Sequence, residues 1–150
     1  MKKLALWTVP ALLFAVALYF GAGAMSREAE RFTPQRFAAL QAQDALILVE
    51  IHATWCVTCR RQREIVRRYR EAYPGVDLEL LSIDFDTQKA AVEALGARYQ
   101  STLVLYRGGE RAWYSVAETR EEVIFAALNQ AAGIADGGLA LTGLAQHGPP

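Results

Sequence analysis

The sequence predicts an α/β domain in which helices cover both faces of a small mixed β-sheet. Three observations carry that expectation. Residues 46–51 read Leu-Ile-Leu-Val-Glu-Ile, a short run rich in branched side chains that suits a strand buried on both faces. A basic amphipathic segment follows and leads into a second strand-like run over residues 76–84, the strand–helix–strand order of a crossover unit. Two further apolar runs then meet across Gly108-Gly109, giving a hairpin, and a helical pattern closes the domain.

The elements follow in order. Thr33-Pro34 reads as an N-cap followed by proline in the first helical turn, opening a helix through about Gln41. The strand over 46–51 stops at His52-Ala53-Thr54-Trp55, and a helix begins around Cys56. Within it Cys59, Gln62, Val66, Tyr69 and Tyr73 fall at helical spacing and face the core; Pro74-Gly75 ends it. In the strand over 76–84, Val76, Leu78, Leu80 and Ser82 alternate with Asp77, Glu79, Leu81 and Ile83. A helix over about 87–95 is closed by Gly96. Strands over 102–106 and 111–116 flank the turn at 107–110. Thr119-Arg120-Glu121-Glu122 has the capping-box pattern and launches a terminal helix through about Ala132. From Gly133 a mobile tail rich in glycine, alanine and proline is expected.

Composition narrows the function. The 150 residues are 53% hydrophobic and 21% charged, enough for one packed domain over residues 33–132. Sixteen basic and sixteen acidic side chains balance, which excludes a strongly basic nucleic-acid binder and an acidic disordered chain. Two cysteines are too few for a disulfide scaffold or a four-cysteine zinc site. Lys2 and Lys3 precede an apolar run over residues 4–24, and residues 25–32 read as a tether. The run is a signal peptide or an N-terminal membrane anchor. Its length suits the roughly 20 residues that cross a bilayer, while Ala22-Gly23-Ala24 has the small-x-small form of a cleavage site. Either reading sends the domain out of the cytoplasm, to the periplasm if the source is bacterial. A cysteine pair there has redox meaning.

Trp55-Cys56-Val57-Thr58-Cys59-Arg60 is the centre of the chemistry. Two cysteines three apart at a helix start can close a small disulfide with little backbone movement. The helix N-terminus favours negative charge, making Cys56 an exposed thiolate nucleophile with Cys59 sheltered one turn deeper as the resolving thiol. A zinc site wants four ligands, and beyond the two cysteines only His52 and His147 are histidines. Haem attachment would need histidine where Arg60 stands.

Residues 47–60, from the apolar strand through Trp-Cys-Val-Thr-Cys-Arg, together with 103–110, Leu-Val-Leu-Tyr-Arg-Gly-Gly-Glu, resemble the thioredoxin family. The likeness covers roughly residues 33–132. It implies a thioredoxin-like fold and a thiol–disulfide oxidoreductase acting on protein thiols and disulfides, with no organic cofactor. The Cys-Val-x-Cys form is similar to the carboxy-terminal domain of the transmembrane disulfide reductase DsbD, which points to a membrane electron donor or acceptor. Glu50 falls where the family has a buried aspartate beneath the second cysteine, a proton acceptor for the resolving thiol. His52, where the family more often has an aromatic ring, shares a sheet face with Glu50 and either relays protons or simply packs.

The family also places a cis-proline before its late strand, facing the disulfide. Ser101 stands there, with no proline between Pro74 and Pro149. A cis peptide without proline costs about 2.5–4 kcal/mol, so the Gln100-Ser101 bond is expected to be trans or strained. Loss of the ring would uncover the sulfurs. That raises an alternative, a metal or iron–sulfur module held by Cys56 and Cys59 with Ser101 nearby. Arg60 and Arg61 lie near enough to the cysteines to bias the thiolate and steer an acidic partner. The distal Arg63, Arg67, Arg68 and Arg70 read as a solvated face. No aromatic platform accompanies the arginines, which argues against nucleic acid.

Overall fold

The computed structural model describes residues 29–134. The expected leader over 1–24 and nearly all of the expected tail lie outside the described residues. Among the described residues no helix is long and apolar enough to cross a membrane.

Among the described residues nine elements follow one another: β1 (Glu30–Arg31), α1 (Pro34–Ala42), β2 (Leu46–His52), α2 (Val57–Ala72), β3 (Leu78–Asp84), α3 (Lys89–Ala94), β4 (Thr102–Arg107), β5 (Glu110–Val116) and α4 (Glu121–Ala132). The strands form one sheet in the order β1-β3-β2-β4-β5. β1, β3 and β2 run parallel, whereas β4 is antiparallel to both β2 and β5. The mixed sheet with helices on both faces is therefore as expected.

Alternation along the strands sorts the core into two layers. Ile47, Val49 and Ile51 of β2 pack with Leu81, Ile83, Val104 and Tyr106 beneath Leu40 of α1 and Val92 of α3. Leu46 and Leu48 point to the other face, where Ile65, Val66 and Tyr69 of α2 meet Ile124 and Leu128 of α4. β2, the most buried strand, has neighbours on both edges and helices above and below. α2 is also tied laterally: Tyr69 Oη donates to Asn129 Oδ1 at 3.0 Å.

Three local features differ most from expectation. Glu30 and Arg31 are not tether but a short edge strand, followed by buried Phe32, whose N–H donates to the Ser82 carbonyl. The second long strand starts at Leu78, and Leu81, Ser82 and Ile83 are all buried because helices cover both faces. The capping box does not form. Arg120 is the N-cap of α4 without a side-chain bond, and the Glu118 carboxylate accepts from the N–H groups of Thr119 and Arg120 instead. Thr33, by contrast, caps α1 by accepting from Arg36 N–H.

Candidate active site

β2 delivers the chain to the start of α2, where both cysteines stand. Cys56 is the N-cap: its backbone is extended and its Sγ accepts from the Cys59 N–H at 3.1 Å. The two Cα atoms are 5.3 Å apart and the sulfurs are joined in a disulfide. An N-cap normally offers oxygen to these unpaired amides; here sulfur takes the place, and any negative charge on it meets the positive end of the helix. The expected contrast between an exposed Cys56 and a sheltered Cys59 is not seen. They are 5% and 3% exposed, packed with Ala53 and partly buried Phe85.

Ser101 is what covers them, so loss of the proline ring has not uncovered the sulfurs. Its Oγ lies 3.0 Å from Cys56 Sγ and 3.3 Å from Cys59 Sγ. Every peptide bond among the described residues is trans, and the expected strain appears one bond along, in a left-handed φ of 58° at Ser101. Two donors hold that conformation. The Ser101 carbonyl accepts from Gln62 Nε2 at 3.0 Å and from Ala117 N–H at 2.8 Å. Gln62 Nε2 also reaches the Glu118 carbonyl at 3.0 Å, so α2, the start of β4 and the loop before α4 are pinned together. Sequence reasoning placed Gln62 inward without assigning it work. An amide at a core-facing position was the available signal, because buried polar groups require partners.

Glu50 is 4% exposed, as expected, on the sheet face that α2 covers. Its partner was not foreseen: Arg63 Nε donates to Glu50 Oε1 at 2.9 Å, so Arg63 is no part of a merely solvated face. His52 lies two residues on. Burial, and then the Arg63 charge, hold its pKa below the usual imidazole value against the opposing pull of Glu50 and Asp84. Its Nδ1 is buried without a hydrogen-bond partner among the described residues, which favours the packing role over proton relay.

Trp55 is 59% exposed beside the disulfide, and its Nε1 donates to Asp86 Oδ2 at 2.9 Å, a contact the sequence did not suggest. Arg67 and Arg68 are taken up by Glu64, Glu71 and Glu121, and Arg70 donates to the Leu78 carbonyl. Arg60 and Arg61 are exposed and pair with no carboxylate among the described residues. As for the metal or cluster alternative, no group of three or more His, Cys, Asp or Glu side chains converges among the described residues.

The family model described as Thioredoxin matches residues 28–130. The chain belongs to the thioredoxin family. Thioredoxin-1 of Saccharomyces cerevisiae is 32% identical over 81 residues, covering 52% of this chain and 74% of its own length. Thioredoxin of Synechocystis sp. is 29% identical, covering 53% and 78%. Among solved structures, Trxlp from Edwardsiella tarda is 34% identical with a TM-score of 0.63, covering 67% of this chain and 98% of its own. The Malassezia sympodialis thioredoxin, at 18% identity and a TM-score of 0.60, shares the fold. This thioredoxin-family chain is thus a thiol–disulfide oxidoreductase with a disulfide-forming Cys56–Cys59 pair.

Proposed function

We propose that this thioredoxin-family chain works outside the cytoplasm as a reductant of protein disulfides, resupplied by a membrane electron donor. The observation that carries the protein-substrate reading is the rim of the site. Among the described residues, Trp55, Val57, Tyr99 and Val116 are the large apolar side chains left exposed, and all four border the cysteine end. Trp55 and Val57 flank Cys56, the Tyr99 carbonyl accepts from Thr102 Oγ1, and Val116 pairs with Thr102 in the sheet. Such a rim suits a polypeptide laid across the sulfurs. The location rests on Lys2, Lys3 and the apolar run over 4–24.

In the reduced pair the Cys56 thiolate attacks one sulfur of a substrate disulfide. A mixed disulfide forms, and the departing substrate sulfur takes a proton from solvent. Cys59 then loses its proton to Glu50 and attacks Cys56 Sγ, closing the Cys56–Cys59 bond and expelling the second substrate sulfur as a thiolate, which takes a proton from solvent. Two electrons pass to the substrate, and a dithiol donor must restore them. Trp55 and Arg60 border the approach.

Two measurements test this. Equilibration of the full chain with dithiothreitol or glutathione buffers should give a potential nearer about −270 mV than about −120 mV. The opposite result would make it a disulfide donor. Cys59→Ser, exposed to an extracytoplasmic protein fraction, should accumulate mixed disulfides at Cys56 that dithiothreitol releases; none forming would count against protein substrates.

A further inference from the structure

We propose that the Ser101 hydroxyl is a catalytic hydrogen-bond donor that serves the two sulfurs of the pair in turn. This rests on the oxidoreductase reading above and adds to it a specific task for one atom.

The geometry carries the inference. A disulfide has no S–H, so in the oxidised pair the hydroxyl must be the donor, and its one hydrogen faces two sulfurs at 3.0 and 3.3 Å. Rotation about one C–O bond moves that hydrogen from Cys56 to Cys59 with no change in the backbone. At 4% exposure Ser101 is sheltered from competing water. Its backbone is held from three sides, by Gln62 and Ala117 on its carbonyl and by fully buried Thr102 after it. Left-handed backbone is unfavourable in a residue with a Cβ and persists where the surroundings impose it. Here the imposed conformation is the one that aims Oγ between the sulfurs.

Charge decides the effect. A thiolate accepts a hydrogen bond about twice as strongly as a neutral group, so the hydroxyl stabilises the reduced, ionised pair more than the disulfide. Before attack, the Cys56 thiolate accepts from Ser101 Oγ–H and from the Cys59 N–H. Once Cys56 is bonded to the substrate sulfur its charge is gone, and the hydroxyl turns to Cys59 as that thiol loses its proton. Ser101 keeps its own proton throughout and gains or loses no electrons.

The test uses the full chain in mild detergent, with Ser101→Ala and Ser101→Gly beside the parent. Glycine accepts a positive φ freely and alanine does not, so the two variants share only the loss of the hydroxyl. Thiolate absorbance followed against pH should show the Cys56 thiolate forming about one pH unit higher in both, with alkylation about tenfold slower below the midpoint. Release of both thiols of a chromogenic disulfide should slow in two resolved steps. Midpoints unchanged in both variants overturn the proposal, and so does a shift in Ser101→Ala alone, which would trace to the backbone. A slowed first step with an unchanged second step overturns the alternation between sulfurs. A parent pair that will not cycle with dithiothreitol overturns the oxidoreductase reading itself, an outcome distinct from the others.

Discussion

Glu50 and His52 stand two residues apart on one strand, and Arg63 makes them a single electrostatic unit. The guanidinium holds the Glu50 carboxylate and, with burial, disfavours a proton on His52. If Glu50 takes the Cys59 proton, Glu50→Gln should retain the fold and slow resolution by about 100-fold. Quenched-flow samples would then show the mixed disulfide persisting; an unchanged lifetime would remove Glu50 from the mechanism. For His52 the sign follows from linkage. A lowered pKa means the folded state binds fewer protons than the unfolded chain, so stability rises with pH across the window between that lowered value and 6.5. Above the window the effect is fully present; as pH falls through it, stability is lost. His52→Phe should flatten that part of a urea-midpoint series, and an identical slope would show that another group sets it. Both residues were legible from the alternation of β2, which put them on one face. Arg63 was not, because a helical stripe of arginines looks solvated until the strand beneath it is known.

At the scale of elements, local chemistry was readable where one side chain had one use. Thr33 before Pro34 capped α1 as expected, whereas Thr119 lost its role to Glu118, whose longer carboxylate reaches two amides at once. β1 escaped notice because two exposed charged residues carry no period. Its pairing is set by β3 rather than by its own pattern. The Gly108-Gly109 turn was legible and has a steric reason. Gly108 has φ +52°, and a Cβ there would lie 2.6 Å from Asp44 Oδ1 and 3.4 Å from Asp44 Cα. Its N–H also donates to the Ala45 carbonyl, fastening the hairpin to the segment after α1. Gly108→Ala should therefore cost about 1–2 kcal/mol in denaturant unfolding, with activity kept at saturating substrate. A neutral result would mean the turn relaxes freely.

Across the whole molecule, charges cancel in number but not in place. Three of the six arginines of α2 are spent on carboxylates and Arg70 on the Leu78 carbonyl, leaving Arg60 and Arg61 beside the cysteines to act at a distance. Reduction of an acidic peptide disulfide should slow several-fold from low to high salt, while a neutral peptide should barely respond. Arg60→Glu with Arg61→Glu should erase the difference; persistence of the salt effect would assign steering elsewhere. The two-layer architecture was readable because uninterrupted apolar strands need cover on both faces. The closure of the site by Ser101 was not, since it depends on one backbone angle fixed by Gln62 and Ala117 from distant parts of the chain. Finally, the strand that carries the chain into the sulfurs is hydrogen-bonded along both edges and walled by two cores. Its amides should be the last to exchange with deuterated solvent, in the oxidised and reduced protein alike. The redox cycle is then hung from the part of the domain that opens least often, and each turnover returns the sulfurs to a frame that never has to be rebuilt.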